Sequence, residues 1–210
     1  MNNMDVNPDQ SIIVIDAIKG FTSEGTFGEA FGPEDSKPID ETFGRLQKFI
    51  DANNSVLTTR CLVRSLYPAG KFVQDPKSRL FNLCIEGSDD LKDAIYIDGL
   101  WYTVQKAEND ATTEKSFTDW IDKFIIEEGK SGVIVSGCTL TTCVSQTAMS
   151  MRKRLNDSNK EKTDIIAPMK HPALTHGVSR LRRSFARIQA ALVRNLHAPA
   201  SSHNFGLLTH

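Results

Sequence analysis

The sequence predicts an α/β fold: a three-layer α/β/α sandwich around a mostly parallel central sheet. Two observations predict it. The strand candidates are apolar throughout instead of alternating, which is how strands covered on both faces read, and helical patterns fall between them. The chain has 210 residues, 40% hydrophobic and 24% charged, a composition that suits one domain with one sizeable core. The domain is read as residues 1–196, with 197–210 as a tail short of charge and periodicity.

SIIVID, residues 11–16, is a β-branched run ending in an acid. Phe43, Leu46, Phe49 and Ile50 then line one helix face between Asp40-Glu41 and Asn53-Asn54. Residues 55–60, 94–98, 101–106, 132–137 and 163–168 are the further strand candidates. SFTDWIDKFIIEEG, residues 116–129, opens on a Ser-x-x-Asp arrangement like a capping box and stops at Gly129. Val144, Ala148, Met151 and Leu155 step at helical spacing, with Arg152, Lys153 and Arg154 at the dipole's negative end. Val178, Leu181, Phe185, Ile188 and Leu192 repeat that stepping in a last helix. Residues 21–38, rich in glycine and proline, are expected to form a long loop over the site.

The formal net charge is −1, from 25 Lys and Arg against 26 Asp and Glu. The basic residues concentrate from Arg152 onward, which reads as a solvated basic face and argues against nucleic acid as the main partner. The N-terminus lacks a signal pattern and no apolar run approaches the ~20 residues that span a bilayer, so a cytoplasmic protein without membrane contact is expected. Cys61, Cys84, Cys138 and Cys143 are read as free thiols in such a compartment. All five histidines lie at or beyond His171, with no zinc spacing among them.

In parallel α/β folds ligands bind beyond the carboxyl ends of the strands. Asp16, Lys106 and the loop from Gly137 to Cys143 each end a predicted strand, so three distinct groups can converge on one crevice. Cys143 also stands where a helix begins. It is either a small buried hydrophobe or a thiol that unpaired N–H groups and the helix dipole bias toward thiolate. Asp16 could take a proton from it, and Lys106 could stabilise the resulting charges.

These segments resemble the isochorismatase-like cysteine hydrolases, a superfamily that includes nicotinamidases, N-carbamoylsarcosine amidohydrolase and isochorismatase. The matching motifs, in order, are IIVIDAIKGF, KAENDA and GCTLTTCVSQTA. The resemblance implies that Cys143 is the nucleophile, Asp16 the acid and base, and Lys106 the third triad member. It also implies a cis peptide between Cys138 and Thr139, with the N–H groups of Thr139 and Cys143 forming an oxyanion hole, and a homodimer or homotetramer.

Nicotinamidases of the superfamily hold a metal through Asp-x-His after the second strand. Here that segment reads TTRCLVRSLYPAGKF, without histidine, so no metal and no cofactor are expected. Arg60 and Arg64 would instead grip a carboxylate on an anionic small-molecule substrate, with Phe21 as a further substrate contact. The expected activity is hydrolysis of a C–N bond, amide or ureido, through a thioester on Cys143. The alternatives are vinyl ether hydrolysis on the same fold and a non-catalytic binding protein.

Overall fold

A computed structural model describes residues 6–71 and 80–166. The sheet has five strands, all parallel: β1 Gln10–Ile15, β2 Thr59–Ser65, β3 Tyr102–Lys106, β4 Gly132–Gly137 and β5 Asp164–Ile166, in spatial order β3-β2-β1-β4-β5. The order reverses at β1, whose neighbours β2 and β4 leave in opposite directions. That switch point is where a crevice opens in such folds.

The central strands β1 and β4 are covered on both faces, as their continuous apolar runs require, whereas the edge strand β3 is not apolar throughout and exposes Tyr102, Thr103 and Gln105. On one face Ile13, Ile15, Cys61, Val63, Val133 and Val135 join Phe117, Trp120, Ile121, Ile125, Met151 and Leu155 in a single buried cluster. These come from α3 Lys115–Ile121, its π-helical continuation Asp122–Glu127, and α4 Ser145–Asp157. The pleat turns Ile12, Val14, Leu62 and Ile134 the other way, and they are buried too. α2 Pro33–Ala52 contacts β4 and buries Phe43, Leu46 and Ile50.

Several sequence expectations need correction. Residues 21–38 are not one loop: α1 Thr26–Phe31 lies inside them, and α2 begins at Pro33. Gly32, at φ 90°, separates the two helices, and Pro33 sits at a first helical position whose N–H would be unpaired anyway. β2 starts four residues later than expected and runs to Ser65, because Val56 and Leu57 turn back to bond the Asn53 carbonyl. Residues 94–98 form no strand; Ala94 donates to the Ala17 carbonyl at 2.9 Å, so the segment lies beside the end of β1 and not in the sheet.

The expected capping box at Ser116 is not formed either. Glu114 is the N-cap, and Asp119 pairs with Lys115. The last helix, the tail, the boundary at 196, all five histidines and most of the basic stretch lie outside the described residues.

Candidate active site

Register brings the predicted triad to one level. β1 pairs Ile15 with Val63 of β2 and Gly137 of β4, and β2 pairs Ser65 with Lys106 of β3. Asp16, one residue past β1, donates its N–H to the Val63 carbonyl at 2.8 Å and adopts φ 54°, a left-handed conformation that aspartate tolerates better than most residues. β4 ends on Gly137 because nothing larger fits. A Cβ there would lie 1.8 Å from the Ile15 carbonyl oxygen, with φ at +130°. The chain then turns through a cis peptide between Cys138 and Thr139. A π-helical turn, Leu140–Val144, leads directly into α4 and carries Cys143 in its first turn.

The three side chains meet in the interior. Lys106 Nζ lies 2.8 Å from Asp16 Oδ2, with both side chains fully buried, and 3.5 Å from Cys143 Sγ. Asp16 Oδ1 accepts the Ser65 N–H at 2.7 Å. Asp16 Oδ2 faces the Lys106 ammonium and keeps a lone pair open to a proton. Cys143, 3% exposed, also has Thr142 Oγ1 at 3.9 Å and Asn109 Oδ1 at 3.8 Å.

Burial and the neighbouring Asp16 carboxylate push the Cys143 thiol up to about 11, against the opposing pull of Lys106. With burial and Asp16 outweighing Lys106, the sulfur carries its proton at neutral pH. Burial raises Cys61 and Cys84 further and drives Cys138 well above its ordinary value, so Cys143 remains the most acidic of the four. For Lys106, burial opposes the charge, but Asp16 and Cys143 outweigh it and hold the ammonium above its usual range.

The structure does not bring Arg60 to this site. It pairs with Ile12 near the amino end of β2, roughly 16 Å below Ser65 at the usual rise per residue. Its guanidinium donates to the carbonyls of Leu57, Asn54 and Asp98, and it lies 5.7 Å from the Trp101 ring centre. Arg64 is closer along β2, yet Asp93 holds it in two parallel bonds of 2.8 and 2.6 Å. Neither presents a free fork to a carboxylate, and the anionic substrate loses the residues that suggested it. Phe21 is buried against Phe27, ring centres 6.2 Å apart, on the segment that follows Asp16.

Sequence reasoning missed Ser65, Tyr67 and Asn109. Lys106 Nζ donates to Ser65 Oγ at 2.7 Å, and Ser65 Oγ donates to Tyr67 Oη at 2.9 Å. Ser65 and Tyr67 stand in the segment TTRCLVRSLYPAGKF, which resembles a Thr-Arg-Ser-Glu-Tyr-like stretch of one branch of cysteine hydrolases, a resemblance that assigns them no role; the register of β2 against β3 reveals the contact. As to metals, no group of three His, Cys, Asp or Glu among the described residues is placed to hold an ion.

No family model matches the chain, and no curated protein does. Solved structures do match. The N-carbamoylsarcosine amidase from Thermoplasma acidophilum is 17% identical, covering 81% of this chain and 91% of that one at a TM-score of 0.53. The pyrazinamidase of Pyrococcus horikoshii, solved in complex with zinc, is 13% identical over 76% of this chain and 99% of that one, TM-score 0.52. An isochorismatase family protein from Desulfovibrio vulgaris subsp. vulgaris is 14% identical over 85% and 92%, TM-score 0.51. At these identities the likeness speaks for architecture alone, and on it the chain has the isochorismatase-like α/β fold.

Proposed function

We propose that the protein is a cysteine hydrolase that cleaves the C–N bond of a small amide or ureido substrate through a thioester on Cys143. The observation that carries this reading is the buried Asp16–Lys106 ion pair, with Cys143 Sγ 3.5 Å from the lysine nitrogen. A fully buried ion pair is costly to maintain, and a thiol in contact with it gives it a use.

With its proton at rest, the thiol needs a base as it attacks. Asp16 Oδ2, open to a proton, accepts the Sγ proton while Sγ bonds to the substrate carbonyl carbon. The carbonyl π electrons move to oxygen, which the N–H groups of Thr139 and Cys143 receive. When the tetrahedral centre collapses, the C–N bond breaks and the proton on Asp16 passes to the leaving nitrogen. Asp16, again a carboxylate, deprotonates water for attack on the thioester and returns that proton to the departing Cys143 sulfur. Lys106 stays an ammonium throughout, stabilising Asp16 before the transfer and the sulfur during it.

A panel of small amides, carbamoyl amino acids and ureides with ammonia detection tests this. Turnover of at least one class, lost in Asp16→Asn, is expected. Cleavage confined to vinyl ethers, or full turnover in Asp16→Asn, would contradict it.

A further inference from the structure

We infer that Ser65 is a positioning residue that sets the direction of the Lys106 ammonium, with Tyr67 fixing the orientation of the Ser65 hydroxyl. This rests on the reading of Cys143 as the nucleophile. Ser65 is fully buried at the last position of β2, directly opposite Lys106 in the sheet register. It touches two triad members at once: its N–H holds Asp16 Oδ1 at 2.7 Å, and its Oγ accepts from Lys106 Nζ at 2.7 Å.

An ammonium has three N–H groups in tetrahedral array. Three neighbours lie within reach of Lys106 Nζ: Ser65 Oγ at 2.7 Å, Asp16 Oδ2 at 2.8 Å and Cys143 Sγ at 3.5 Å. Fixing one N–H on Ser65 turns the other two toward the acid and the sulfur. Ser65 can accept because its own proton is directed elsewhere, to Tyr67 Oη at 2.9 Å. The Tyr67 ring itself lies 5.7 Å from Lys106 Nζ, so the same side chain faces the ammonium with its π surface.

Removing the Ser65 hydroxyl leaves a buried N–H without that acceptor and frees the ammonium to turn, which weakens its hold on a sulfur anion. Among the described residues, the other groups facing the sulfur are Asp16, Tyr67, Cys84, Cys138, the Thr142 hydroxyl and the Asn109 side-chain amide, and Ser65→Ala alters none of them chemically. The effect should therefore be read directly in the pH dependence of the thiol.

The experiment is alkylation of the full chain with iodoacetamide from pH 7 to 11, followed site by site through peptide mass mapping, in the wild type, Ser65→Ala and Tyr67→Phe. In the wild type Cys143 should label first. In Ser65→Ala its labelling at pH 9 should slow about ten-fold, the size of one hydrogen bond to a charged group, with the midpoint moved up. Tyr67→Phe should move it the same way by less, with urea unfolding at pH 7 and at pH 9 still cooperative in both. An unchanged Cys143 profile in Ser65→Ala, or a shift downward, overturns the inference. Wild-type labelling led by another cysteine overturns instead the nucleophile reading on which it rests.

Discussion

Lys106 and Asp16 form an ion pair of 2.8 Å with both side chains fully buried, between two residues 90 positions apart in the chain. Two parallel strands on either side of β2 could not deliver them to one point unless both strand ends were in register. Removing one partner leaves a buried uncompensated charge. Lys106→Met should cost ~3–5 kcal/mol of stability at pH 7. Urea unfolding checks this, and a loss under 1 kcal/mol would show that the pair is not buried as described.

Alkaline pH should destabilise the protein from about pH 9. Burial raises all four thiols above their ordinary value of 9.0 and raises Tyr67 as well. Above pH 9 the unfolded chain loses thiol protons that the native state retains, so the unfolded state binds fewer protons and stability falls as pH rises. Each thiol contributes about 1.4 kcal/mol per pH unit until its native form also ionises. Lys106, also raised, acts with the same sign: its contribution is intact below 10.5 and is lost as pH climbs through its folded value. Urea midpoints that stay flat between pH 8 and 10.5 would contradict this.

The convergence of the three triad residues is legible in the sequence for a physical reason. Asp16, Lys106 and the loop that carries Cys143 each end a strand, and parallel strands all end on the same side of a sheet. β4, residues 132–137, was readable to the residue because it is apolar and bounded by glycines. The error at β2 came from its two arginines, which read as surface or ligand groups. Carbonyls of the preceding turn absorb one and Asp93, 29 residues on, absorbs the other, and neither kind of partner leaves a periodic trace. Ser65 was invisible for the same reason.

Arg60→Lys is expected to act on stability and not on substrate binding. Lysine cannot reproduce three carbonyl contacts and a ring stack, so a loss of about 1–3 kcal/mol should appear in unfolding while KM is unchanged. A raised KM with unaltered stability would return Arg60 to the site.

Two glycines should respond in opposite ways to alanine. At Gly137 a Cβ would overlap the Ile15 carbonyl oxygen at 1.8 Å with φ at +130°, so Gly137→Ala should displace the end of β4 and prevent stable folding. Gly44 lies inside α2 with open space around its Cα, and Gly44→Ala should stabilise by ~0.5–1 kcal/mol. Equal thermal midpoints for the two variants would be inconsistent with the close approach of β1 and β4.

The thioester is most directly tested by acid quenching during turnover of the best substrate, followed by mass mapping of the peptide that holds both Cys138 and Cys143. The acyl fragment should sit on Cys143. Turnover and adduct should vanish in Cys143→Ala and persist in Cys138→Ala. An adduct on Cys138, or undiminished turnover in Cys143→Ala, would contradict the assignment of Cys143 as the nucleophile.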